Sequence, residues 1–198
     1  MLERNSIKAY QWTRSKRPLV LGFCGKAGVG KSYAADIIRE HYGHIQHVPF
    51  AGPLKAIMTQ LGLPREKLNE LEYKETPNPM LCGKTPREVM QYLGTEFGRE
   101  FIGGDLWVDL WKRHVEGCVE RWPNCFIVVD DVRFQNEVDA IHSFGGIVVE
   151  IRSPKATTSF KNSDHKSEQQ KLIVDAHVYN ERGTYSLVRG LDRVFYHL

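Results

Sequence analysis

Leu19-Val20-Leu21-Gly22-Phe23-Cys24-Gly25-Lys26-Ala27-Gly28-Val29-Gly30-Lys31-Ser32 opens as an apolar run and breaks abruptly into glycines. Beyond it Ala34, Ala35, Ile37, Ile38 and Tyr42 recur at helical spacing, with Gly43 as a stop. A strand, a glycine-rich turn and a helix are the context in which the spacing G-x-x-x-x-G-K-[ST], here Gly25 to Ser32, forms a P-loop. In such a loop the backbone N–H groups of Gly25, Lys26, Ala27, Gly28, Val29 and Gly30 converge on phosphate oxygens. The N-terminus of the following helix adds partial positive charge. Lys31 would reach the β- and γ-phosphates of ATP as a point charge, and the Ser32 hydroxyl would ligate the bridging Mg2+.

The chain has 198 residues, 41% of them hydrophobic, which suits one α/β domain with a core of ordinary size. A formal charge of +3 demands no nucleic-acid partner, although it favours anionic substrates. Cys24, Cys82, Cys118 and Cys125 form no C-x-x-C pair or regular framework, as expected of reduced thiols in a cytoplasm. No apolar run approaches a bilayer span, and residues 1–17 lack the apolar segment of a signal peptide. The expectation is a soluble cytoplasmic protein with small-molecule nucleotides, not membranes or nucleic acid, as partners, and a homodimer left open.

Residues 1–17 carry Arg4, Lys8, Arg14, Lys16 and Arg17 against Glu3, and read as a basic arm. His47-Val48-Pro49-Phe50 reads as a second strand, and Leu54, Ile57, Met58 and Leu61 mark a helix with Lys55 on its first turn. Residues 63–84 lack sustained periodicity and are expected to be a mobile insertion with one short helix over 64–73. Thr85-Pro86-Arg87-Glu88 spells a capping box, and Val89, Met90, Leu93 and Phe97 predict its buried stripe, leaving Arg87, Gln91 and Glu96 elsewhere. Asp105 opens a helix through Trp107 and Trp111 to about Arg121. Cys125–Val129 has the continuous apolar character of a parallel strand buried on both faces. A helix with Val138, Ile141 and Phe144 and a strand over 147–151 complete a βαβ unit. Residues 153–171 read as a lid-like polar loop, 176–179 as a last strand and 184–197 as a final helix. The fold class expected is α/β, three layers with a mainly parallel central sheet flanked by helices.

Ligands of parallel α/β sheets gather at the carboxyl ends of the strands, which is where Asp130-Asp131-Val132-Arg133 falls. A carboxylate there can hold Mg2+ through water or orient an attacking oxygen, and an arginine can neutralise phosphate charge. A helix cap with an exposed salt bridge is the plainer alternative for the same residues.

Several blocks then carry a likeness in order along the chain. They are the P-loop, Ala51-Gly52-Pro53-Leu54-Lys55, residues 87–96 around Gln91-Tyr92-Leu93-Gly94-Thr95, Trp107-Val108, Asp131-Val132-Arg133 with Glu137, Glu150-Ile151-Arg152, His165-Lys166-Ser167-Glu168 and Asn180. With these the chain resembles the bacteriophage deoxynucleoside monophosphate kinases, P-loop enzymes of the nucleoside monophosphate kinase type. The resemblance implies ATP- and Mg2+-dependent transfer of the γ-phosphate to a deoxynucleoside monophosphate in deoxynucleotide biosynthesis, within a host cytoplasm if phage-encoded. It implies Lys31, Asp131 and Arg133 as catalytic groups. Lys55, Arg87, Gln91, Trp107, Asp131, Arg133 and Glu137 would lie at the acceptor, and Arg152 would act on ATP from the lid. Trp107 suits a base platform and also plain core; Gln91 suits paired hydrogen bonds to a base edge. Two alternatives share the loop: a kinase for another phosphorylated acceptor, such as phosphomevalonate or dephospho-coenzyme A, and a nucleotide-binding switch protein.

Overall fold

The computed structural model describes residues 19–42, 45–154, 171–181 and 184–196. The basic arm, the stop at Gly43, nearly all of the lid-like loop, the His165 block and the end of the last helix lie outside them. Five strands, β1 (Leu19–Cys24), β2 (Ile45–His47), β3 (Phe126–Val129), β4 (Ile147–Arg152) and β5 (Ala176–Tyr179), form one sheet in the order β2-β3-β1-β4-β5. Every pairing is parallel. The helices around it are α1 (Lys31–Tyr42), α6 (Gln135–Ser143) and α7 (Thr184–Tyr196). This is the α/β fold, a parallel sheet flanked by helices, expected from the alternation of apolar strands and amphipathic helices.

The inner strand β3, between β2 and β1, is buried along its whole length, as its unbroken Phe-Ile-Val-Val run requires when helices cover both faces. Leu21, Phe23, Val128, Val149 and Ile151 from the strands meet Ile37 and Ile38 of α1 and Leu187 and Leu191 of α7 in one core. Burying each such side chain contributes about 1.5–3 kcal/mol, which fixes the strand ends that carry the site.

The chain divides into two compact units, Met1–Pro49 with Val115–Leu198, and Phe50–His114. The second contains α2 (Gly52–Gln60), α3 (Leu71–Glu75), α4 (Pro86–Tyr92) and the first part of α5 (Leu106–Arg121). Residues 63–84 hold two 3-10 turns, Glu66–Asn69 and Pro79–Leu81, on either side of α3, in place of the single helix over 64–73. These pieces are too short to display a period, yet Leu63, Leu68 and Leu81 are buried with Met58 in a core of their own.

Two further expectations are corrected here. The second strand is 45–47, not 47–50: Val48 still donates to the Val128 carbonyl at 3.0 Å, but Pro49 has no N–H to continue the ladder. Phe50 instead stacks on Trp111, with ring centroids 4.7 Å apart. Phe97 is 41% exposed rather than part of a buried stripe. From Leu93 to Ile102 the backbone is a π-helix, whose i→i+5 bonds widen each turn and rotate later side chains off the 3.6-residue stripe.

Candidate active site

The loop after β1 is shaped by Gly25, Gly28 and Gly30, with φ of 129°, 77° and 104°. Those backbone angles strain any residue with a Cβ, so glycine is required for the amides to turn inward. Lys31 folds back along the loop, its Nζ donating to the Gly25 carbonyl at 2.7 Å and the Lys26 carbonyl at 2.8 Å. Val29 is buried, Gly25, Ala27 and Gly30 are half-buried, and Lys26 and Gly28 are exposed. Just past β5, Asn180 Nδ2 donates to the Val29 carbonyl at 2.9 Å while the Asn180 N–H donates to the Arg152 carbonyl at 2.7 Å. Asn180 thus staples the loop to the end of the sheet.

Ser32, the second residue of α1, donates from Oγ to Asp130 Oδ2 at 2.7 Å. The other oxygen, Asp130 Oδ1, lies 2.7 Å from His47 Nε2. Of the paired acids, Asp130 is therefore the one brought to Ser32. Asp131 and Arg133 are both half-buried on the same strand-to-helix connection.

Glu137 is 3% exposed, and its Oε2 accepts from the N–H groups of Arg133 at 2.7 Å and Phe134 at 3.1 Å. It caps α6 from the third helical position; Phe134 has no side-chain oxygen to return the bond. Glu137 accordingly shapes the backbone that carries Asp131 and Arg133. Arg152, the last residue of β4, donates to Glu150 Oε2 from Nε at 2.9 Å and from a terminal nitrogen at 2.6 Å. These bonds, with one to the Tyr179 hydroxyl, raise its pKa above the usual guanidinium value. Cys24, just before the loop, is buried, and desolvation with the Glu150 carboxylate pushes its pKa up to about 12 against Lys31 and Arg152.

In the Phe50–His114 unit, Trp107 is 5% exposed, its ring lies against Gly98 and its Nε1 donates to the Gly94 carbonyl at 2.7 Å. So buried, the indole is core and offers no open face to a base. Arg87 pairs through Nε with Glu75 Oε1, and Lys55 Nζ donates to Asn69 Oδ1 at 2.8 Å. Gln91 is half-buried on α4. The structure thus brings Lys31, Ser32 and Asp130 together, with His47 and Asn180 beside them. Sequence offers His47 only as a residue of the second strand, whereas Asn180 stands among the residues that carry the family resemblance.

Ser32 and Asp130 supply hard oxygen donors, a set that fits Mg2+, which keeps several waters and takes only one or two protein oxygens. Among the described residues no group of three or more His, Cys, Asp and Glu forms a caged metal site. No described helix is long and apolar enough to cross a membrane.

A protein of Acanthamoeba polyphaga mimivirus named "Putative deoxynucleotide monophosphate kinase" is 32% identical over 145 residues, 69% of this chain and 75% of that protein. The chain belongs to the family of this viral P-loop kinase. An uncharacterized protein of Ictalurid herpesvirus 1, ORF77, is 31% identical to this chain over 161 residues, 80% of its length. The chain spans 61% of that herpesvirus protein's length. No protein-family model matches. Among solved structures, an APS kinase of Mycobacterium tuberculosis aligns with TM-score 0.45 and 10% identity over 90% of this chain and 95% of that one. P-loop kinases in general use ATP and Mg2+.

Proposed function

We propose that the chain transfers the γ-phosphate of ATP to a deoxynucleoside monophosphate, giving ADP and the deoxynucleoside diphosphate. The observation that carries phosphoryl transfer is the 2.7 Å pairing of Ser32 with Asp130 at the start of the helix that follows the glycine loop. The acceptor is inferred from the likeness to the mimivirus protein of that name.

In this reading the loop amides hold the β- and γ-phosphates, and Lys31 leaves the Gly25 and Lys26 carbonyls to meet them. Ser32 and Asp130 are the residues that would hold Mg2+, whose charge would neutralise those phosphates. An acceptor phosphate oxygen bonds to the γ-phosphorus as the β,γ-bridging oxygen departs with ADP. Arg133, set by the Glu137 cap, balances charge on the moving group. Asp131 sits beside it as a candidate to orient the acceptor. Gln91 is the proposed contact to a base edge. Lys55 and Arg87 would reach an acceptor only by exchanging Asn69 and Glu75. Arg152 is the proposed cation on ATP.

The test is a coupled ADP-release assay over the deoxynucleoside monophosphates, with phosphomevalonate and dephospho-coenzyme A as competing acceptors. ADP release that depends on at least one deoxynucleotide is expected. Release dependent only on a non-nucleotide acceptor, or independent of any acceptor, would overturn the reading.

A further inference from the structure

We propose that His47 is a positioning residue that holds the Asp130 carboxylate in the orientation needed at the metal. This rests on the reading of Ser32 and Asp130 as the metal-side pair. His47 ends β2, where it is in register with Val128 of β3, two residues before Asp130. The next residue fastens the same edge, Val48 N–H to Val128 carbonyl at 3.0 Å. Strand pairing therefore delivers the imidazole beside the carboxylate without any loop having to order itself.

The Asp130 side chain is 12% exposed, so water is scarce around its oxygens and protein donors must satisfy them. Each oxygen has one: Ser32 Oγ for Oδ2 and His47 Nε2 for Oδ1, both at 2.7 Å. An ionised carboxylate accepts only, so the His47 Nε2 carries a hydrogen in this arrangement. Donors from two separate elements, α1 and β2, fix the plane of the carboxylate about its last side-chain bond, a torsion that is otherwise broad. With Oδ1 occupied by His47, Oδ2 alone is presented to Ser32. Partners of this kind, one step removed from a metal, typically cost 10–100-fold in metal affinity when removed.

The experiment is a Mn2+ titration of the ADP complex, reading free Mn2+ by electron paramagnetic resonance, for wild type, His47→Ala and His47→Gln. ADP binding in chelator is measured in parallel. His47→Ala is expected to weaken Mn2+ by about 10–100-fold with metal-free ADP binding unchanged, and His47→Gln, which returns an Nε2 amide donor, to recover most of the loss. Unchanged Mn2+ affinity in His47→Ala, equal losses in both variants, or a matching loss of metal-free ADP binding would each overturn the assignment. No acceptor enters the titration. A failure of the deoxynucleotide reading therefore shows only in the acceptor assay, and a failure of the His47 assignment only here.

Discussion

Lys31 spans the phosphate loop by bonding to the Gly25 and Lys26 carbonyls, so removing its ammonium takes away charge and empties no core site. Lys31→Ala is expected to lower turnover by about 100-fold or more with an unchanged thermal melt. Turnover above half of wild type would remove the loop from the chemistry. The acids separate in the same way: Asp130→Asn should cost orders of magnitude in turnover through the lost Ser32 and metal-side contact, and more than Asp131→Asn. The reverse ranking, measured by steady-state kinetics, would favour the Asp131 register that the family resemblance implies. Sequence alone could not choose between adjacent carboxylates, because the choice depends on a side chain 98 residues away. Trp107 shows the other limit of a residue-by-residue reading. An indole suits a base platform and a core equally well on paper, and only its bond to the Gly94 carbonyl separates the two. Trp107→Ala should destabilise the Phe50–His114 unit by about 3–5 kcal/mol. An unchanged melt with a raised acceptor KM would restore the platform role.

At the scale of elements, the capping box at Thr85–Glu88 was legible because its signal is local, four residues that satisfy one another's backbone groups. Glu88 N–H donates to Thr85 Oγ1 at 3.1 Å and Thr85 N–H donates to Glu88 Oε2 at 2.8 Å. Thr85→Ala should cost about 1 kcal/mol, read as a shift in the denaturation midpoint. The Thr85 backbone bond, with its side chain, holds the Glu88 pKa below its usual value of 4.5. A carboxyl with a depressed folded pKa contributes stability above its ordinary pKa and loses it as pH falls through the folded value. The gap between wild type and Glu88→Gln should therefore narrow on acidification below about pH 4.5. A gap that widened there would contradict the cap. The π-helix that follows was not legible: the sequence keeps a helical period through Phe97, while the tertiary fit of Gly98 beneath Trp107 sets the backbone.

Across the whole molecule, the parallel sheet was readable from its apolar runs, since strands buried on both faces admit little else. The division at Pro49 and inside α5 was not, because no composition shift or linker marks either point. Burial raises the pKa of Cys24, Cys118 and Cys125, whereas Cys82 is exposed. Native alkylation followed by peptide mapping should label Cys82 first and the other three only on unfolding. Early labelling of Cys24 would mean that the end of β1 opens. Because the folded Cys24 thiol holds its proton more tightly than the unfolded one, its contribution is present below pH 9.0 and is lost as pH climbs toward about 12. The most direct measurement of the central claim is transfer of label from [γ-32P]ATP, resolved by chromatography, to each deoxynucleoside monophosphate by wild type and Lys31→Ala. The account predicts labelled deoxynucleoside diphosphate in equal amount to ADP with wild type and almost none with the variant. Labelled inorganic phosphate without labelled diphosphate would contradict it.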